Sequence, residues 1–149
     1  MSLKDKLMDD MKAAMKERES GKLRLTVIRM ARAAIKNAEI AKHKDLTDDE
    51  VIEVLAKEVK QRKDSIEEYA RANRQDVVQT LKEEVAILTE YLPEQMSAEE
   101  VRKLVREAIQ ATGAVGPKDM GKVMGQLMPK VKGRADGKLV NEIVKEILT

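Results

Sequence analysis

Apolar residues recur along this chain at intervals of three and four, and no segment alternates as a strand does. Ser2 with Asp5 makes a capping-box-like start, followed by Leu3, Leu7, Met11, Ala14 and Met15 at helical spacing. Ser20–Gly21 breaks this first helix. A second is predicted from Lys22 to about Ala41, with Leu25, Ile28, Ala31, Ile35 and Ala38 on one face. Thr47 and Glu50 form a T-x-x-E box opening a third helix, Asp48 to about Asn73. Its stripe is Val51, Leu55, Val59, Ile66 and Tyr69, interrupted by Arg62. A fourth spans Gln75 to Tyr91, with Val78, Leu81, Val85 and Leu88 inward, and Pro93 ends it.

Beyond Pro93 the pattern changes. Ser97 and Glu100 open a fifth helix to about Ala111, burying Val101, Leu104, Val105 and Ile109. Pro117 suits the first turn of a sixth, which carries Met120, Val123, Met124, Leu127 and Met128 and is expected to stop at Pro129. Gly133–Gly137 reads as a turn before a last helix, Leu139 to Leu148. The expected fold is all-α and multihelical in two subdomains. An N-terminal helical part covers 1–93 and a three-helix tail covers 97–149. Six of the seven glycines follow Pro93, so the tail has backbone requirements that the first part lacks.

Composition narrows the chemistry. A chain of 149 residues buries roughly 70% of its unfolded surface, enough for a core without staples. With Tyr69 and Tyr91 as its only aromatics, that core is aliphatic and methionine-rich, and base-stacking recognition of single strands is disfavoured. Zero cysteine excludes disulfides, thiol catalysis, zinc fingers and iron–sulfur sites, and a single histidine excludes His-rich metal sites. There is no apolar run near 18 residues, and the charged N-terminus is not a signal peptide, so the expectation is a cytoplasmic protein without membrane or metal partners. The net charge of +2 hides local excesses. Lys12–Lys44 holds ten Lys/Arg against three Asp/Glu, and Lys118–Lys138 holds six against two.

Few residues suggest a reaction. His43, in AKHKD, has no Ser or Cys placed near it and reads as a solvated helix-end histidine. Asp9–Asp10, Asp48–Glu50 and Glu83–Glu84 sit at helix starts or on polar faces, where the helix dipole explains carboxylates. Gly116–Lys122 matches G-x-x-x-x-G-K, but Val123 stands where a phosphate loop needs Ser or Thr, and no strand precedes it. No catalytic residue and no cofactor are assigned. Gly121 and Gly125 share a helix face, which implies either tight internal packing or close approach by a ligand. Lys118, Lys122, Lys130, Lys132, Arg134 and Lys138 surround them and suit phosphate contact. The Met120/Met124/Met128 stripe reads as core filler or as adaptable partner surface. Arg18, Lys22, Arg24, Arg29, Arg32 and Lys36 are expected to pair with the acidic third helix.

The run Gly121-Lys122-Val123-Met124-Gly125, with Gly133-Arg134-Ala135-Asp136-Gly137 and Leu139-Val140-Asn141-Glu142-Ile143-Val144, closely resembles the tail domain of the B subunit of the bacterial glutamyl/aspartyl-tRNA amidotransferase. With Leu25–Arg29 and Ile87–Pro93 included, the whole chain resembles the stand-alone YqeY family of small cytosolic bacterial proteins. Gly137 departs from the amidotransferase tails, which often carry proline there. The resemblance implies a two-subdomain helical fold whose tail helps hold transfer RNA. On that basis Lys118, Lys122, Lys130, Lys132, Arg134 and Lys138 are nucleic-acid contacts, and Gly121, Gly125 and Gly133 are close-approach glycines. It also implies, as a further alternative, carbon–nitrogen ligase activity with glutamine as amido donor, yet 149 residues leave no room for the ATP-dependent activation domain. The expectation is a tRNA-binding, amidotransferase-related accessory protein, with a protein-interaction module for a translation-related partner as the alternative.

Overall fold

The computed structural model describes all 149 residues. It is all-α: α1 (Leu3–Lys16), α2 (Lys22–Lys42), α3 (Asp48–Arg71), α4 (Gln75–Thr89), α5 (Ala98–Thr112), α6 (Met120–Val131) and α7 (Gly137–Leu148), with 3₁₀ turns at Arg18–Gly21 and Pro117–Asp119. Two compact units divide the chain, Met1–Leu92 and Pro93–Thr149.

In the first unit, local chemistry sets the helix starts. The Ser2 hydroxyl accepts the Asp5 N–H at 3.1 Å, and the Asp5 carboxylate accepts the Ser2 N–H at 3.4 Å. Thr47 and Glu50 form the same reciprocal box on α3. Each such cap contributes about 1 kcal/mol by satisfying donors that a helix leaves orphaned. Gly21 turns the chain between α1 and α2 at close quarters. A Cβ there would lie 2.3 Å from the Ala14 carbonyl oxygen, so no other residue fits. His43 ends α2 in the left-handed region, at φ 56°.

The core of this unit joins Leu7 of α1, Val27, Ile28, Ala31 and Ile35 of α2, Val51, Leu55 and Val59 of α3, and Ile87, Leu88 and Tyr91 at the end of α4. Tyr91 is 4% exposed, and its hydroxyl donates to the Asp10 carboxylate of α1. The Lys6 ammonium lies 5.3 Å from the centre of the same ring. Arg62 does not break the α3 stripe outward: it is buried at 7% exposure. Its Nε donates to Glu84 Oε1 of α4 at 2.9 Å, and an Nη donates to the Glu58 carbonyl at 3.1 Å. Beyond Arg62 the stripe thins. Ile66 is half-buried and Tyr69 is exposed, contrary to the sequence expectation, because α3 outruns the core and only α4 covers its last turns.

The second unit packs α5, α6 and α7 around Val101, Val105, Ala108, Val123, Leu127, Val131, Val140, Ile143, Val144 and Leu148. Residues 93–96 are strapped to the α6–α7 turn, with the Met96 N–H donating to the Arg134 carbonyl at 2.8 Å. Two boundaries differ from expectation. Pro129 lies inside α6, which continues to Val131. Proline removes one backbone hydrogen bond, to the carbonyl of Gly125, and that carbonyl sits on the exposed side of the helix where water can serve it. Gly137 is the first residue of α7 rather than part of the turn, because the Asp136 side chain caps the helix through the Lys138 N–H.

Candidate functional site

The site is built on α6. Val123, Leu127 and Val131 define its buried face, with Met120 and Met124 packed beside them as core filler. Met128 departs from that stripe and is 40% exposed. The opposite crest carries Gly121, Lys122, Gly125 and Gln126, all exposed. Lys122, Gly125, Gln126 and Pro129 form a shallow open depression with Thr112 of α5, about 560 Å³ in volume. Thr112, Gln126 and Pro129 escaped the sequence reading. Gln126 and Pro129 were recoverable from helical spacing relative to Gly121 and Lys122, whereas Thr112 comes from another helix.

The space above the glycines differs from one to another. A Cβ built on Gly121 or Gly125 meets nothing within 4 Å. Internal packing therefore does not account for them. Each weakens an exposed helix interior by about 1 kcal/mol relative to alanine, and no contact within the chain offsets this. Gly133 is different. It has φ 73°, a turn conformation that favours glycine, and its carbonyl accepts from the Gln95 side chain at 2.8 Å.

The six cations separate in the same way. Lys118 is exposed in the 3₁₀ turn, one helical turn before exposed Lys122. Lys130, Lys132 and Lys138 are exposed around the α6–α7 turn. Arg134 is half-buried, its Nε donating to the Glu94 carbonyl at 3.0 Å, so it serves the strap. The G-x-x-x-x-G-K run is a 3₁₀ turn leading into α6, not a loop cradling a phosphate.

The acidic residues singled out in the sequence hold the first unit together. Asp10 takes the Tyr91 hydroxyl, Asp48 accepts the Leu3 N–H at 3.1 Å, and Glu84 pairs with Arg62. Glu50 accepts from the Thr47 backbone and from Lys44 and Lys42, which draw its carboxyl down to about 2. His43 stands among Lys36, Glu39, Ile40, Lys44 and Asp45 at the end of α2. The expected pairing of the basic second helix with α3 fails. Arg24 reaches Glu90 at 2.9 Å beyond α4, and only Lys42 of α2, with Lys44 after it, meets α3 through Glu50. Arg29, Arg32 and Lys36 instead line a furrow between α1 and α2.

Comparison with known proteins places the chain among fungal relatives. It is 37% identical over 123 residues to altered inheritance of mitochondria protein 41, mitochondrial, of Lachancea thermotolerans, covering 78% of this chain and 65% of that protein. The Kluyveromyces lactis protein of the same name is 42% identical over 86 residues, covering 57% of this chain and 45% of its own length. An uncharacterized protein of Schizosaccharomyces pombe is 30% identical over 95 residues, 64% of this chain and 72% of that protein. The chain thus spans less than two thirds of the first two relatives. Their mitochondrial names overturn the cytoplasmic expectation. The charged N-terminus does not distinguish the two compartments, and no helix is long and apolar enough to cross a membrane. These relatives are yeast proteins rather than bacterial ones. Residues 4–148 match the family model of the YqeY-like proteins, so nearly the whole chain belongs to the YqeY-like family.

Proposed function

We propose that this protein is a tRNA-binding, amidotransferase-related accessory protein whose residues supply binding rather than a reaction centre. The observation that carries the reading is the bare crest of α6. Two exposed glycines with open space above them, beside Lys118 and Lys122, form a surface that a ribose–phosphate backbone can approach closely. Folded RNA needs no aromatic stacking, since shape, phosphate and 2′-hydroxyl contacts suffice. Lys130, Lys132 and Lys138 extend the cationic field toward α7. A second reading, a protein-interaction module, draws on Met128 and on Val115, which is 86% exposed in the α5–α6 connection.

The test compares the wild type with Gly121→Ala/Gly125→Ala and with Lys118→Glu/Lys122→Glu, using unfractionated transfer RNA at two salt concentrations. The alanine pair is expected to stabilise the protein by about 2 kcal/mol, at about 1 kcal/mol per glycine, and to weaken RNA binding. The glutamate pair is expected to weaken binding and flatten its salt dependence. A destabilised alanine variant would return the glycines to a structural role. RNA affinity equal to wild type in both variants would sink the RNA reading, and salt-tolerant capture of a protein after nuclease treatment would favour the second.

A further inference from the structure

The furrow between α1 and α2 collects cations that the fold leaves without carboxylates. Lys4, Arg24, Lys42 and Lys44 each have a carboxylate within 3.2 Å. Arg29, Arg32 and Lys36, which line this furrow of about 580 Å³, form no ion pair. Arg29 and Lys36 are exposed. Arg32 donates to the Met11 sulfur at 3.1 Å, a weak acceptor that occupies one of five guanidinium donors. The two carboxylates facing the furrow are hydrogen-bonded elsewhere, although Glu39 also lies within electrostatic reach of Lys36. Asp5 closes the Ser2 cap, while Glu39 accepts from Lys4 at 2.7 Å and from the Leu46 N–H at 2.9 Å. What sets these three apart is that they stand on one helix face and line one furrow, which makes it an anion-facing surface.

The spacing identifies the kind of anion. Arg29, Arg32 and Lys36 spread over seven residues of helix, about 10 Å along the axis, instead of converging on one point. That suits a row of charges better than a single phosphate. A nucleic-acid strand carries one phosphate per roughly 3.4 Å of axis, so about three face such a row. An acidic peptide would bring an apolar anchor that needs a pocket. The row itself holds only the small exposed Ala33 at its middle, while Met8 and Ile35 line the furrow beside it.

We propose that the α1–α2 furrow binds the phosphodiester backbone of an RNA, as a contact additional to the α6 crest. RNA as the occupant rests on the ligand proposed for the second unit, whereas the furrow's preference for a polyanion does not. The experiment uses the full chain and unfractionated transfer RNA at 50 and 200 mM salt. Arg29→Ala/Lys36→Ala removes two exposed side chains that make no hydrogen bond, so thermal unfolding serves as the fold control. With about 0.9 counterion per phosphate contact, the salt slope falls by about 1.8. The variant's loss of affinity over that fourfold salt range is then about 12-fold smaller than the wild type's. Arg29→Lys keeps the wild-type slope. A furrow variant that matches wild type while Lys118→Glu/Lys122→Glu binds less overturns the furrow and spares the α6 crest. A wild type that binds no transfer RNA overturns both. Poly-glutamate binding that Arg29→Ala/Lys36→Ala weakens, with RNA binding unchanged in that variant, assigns the furrow to an acidic protein and overturns the proposal.

Discussion

Arg62 offers the sharpest energetic test of the first unit. The residue is 7% exposed, and its guanidinium lies 2.9 Å from Glu84 and 3.6 Å from the Glu58 carboxylate. At an effective dielectric constant of about 20, these distances correspond to gross attractions of about 6 and about 5 kcal/mol. Desolvating each ion costs several kcal/mol, so the intact triad contributes little net stability. Removing one member is different. Arg62→Ala leaves Glu58 and Glu84 without their cation and a void where the side chain packed. Breaking a buried pair costs about 3–5 kcal/mol. Both carboxylates retain nearly a fifth of their side-chain exposure and can recover some water, which lowers the expected loss to about 2–4 kcal/mol. Glu58→Gln/Arg62→Leu/Glu84→Leu removes all three charges together, continues the stripe of Leu55 and Val59 toward α4, and is expected within about 1 kcal/mol of wild type. Urea unfolding followed by far-UV circular dichroism measures both. A loss below about 1 kcal/mol for Arg62→Ala, the value of a surface pair, would refute the buried-triad account.

Three further outcomes follow from other contacts. Gly21→Ala forces a methyl group against the Ala14 carbonyl and should destabilise the protein by about 1–3 kcal/mol in thermal unfolding, opposite in sign to alanine at Gly121. Glu50 has a folded pKa of about 2 against an ordinary 4.5, so its stabilisation is complete above pH 4.5 and is lost as pH falls toward 2. Glu50→Gln should flatten that part of the acid-unfolding curve, and an unchanged curve would contradict the assignment. Burial, and then the hydrogen bond to Asp10, raise the Tyr91 phenol above its ordinary value. Its stabilisation is therefore complete below pH 10 and declines as pH rises past that, a decline that Tyr91→Phe should remove from alkaline titrations of stability.

The features legible in the sequence are those with local causes. The caps at Ser2/Asp5 and Thr47/Glu50 involve groups three residues apart, and the helix bodies between them follow from spacing alone. Arg62 looked like an interruption because its partner, Glu84, lies 22 residues away across a hairpin. The second helix looked paired because acidic residues follow it in sequence, yet Arg24 pairs with Glu90, only Lys42 at its end reaches Glu50, and Arg29, Arg32 and Lys36 line the furrow with α1. Pro129 read as a terminator because sequence gives the cost of the lost hydrogen bond and not the exposure of the carbonyl that loses it. At the tail, the positions of Gly121 and Gly125 were evident. Whether space or a neighbour stood above them depends on where α5 and α7 lie, and no periodicity carries that.

The placement of the two tyrosines has a practical consequence. Both belong to the first unit, one buried against Asp10 and one exposed on α3, while residues 93–149 contain no aromatic side chain. Intrinsic fluorescence therefore reports the first unit alone, whereas far-UV circular dichroism reports helices in both. Superposing the two signals during unfolding shows whether the halves melt together or separately, without a label or an added tryptophan.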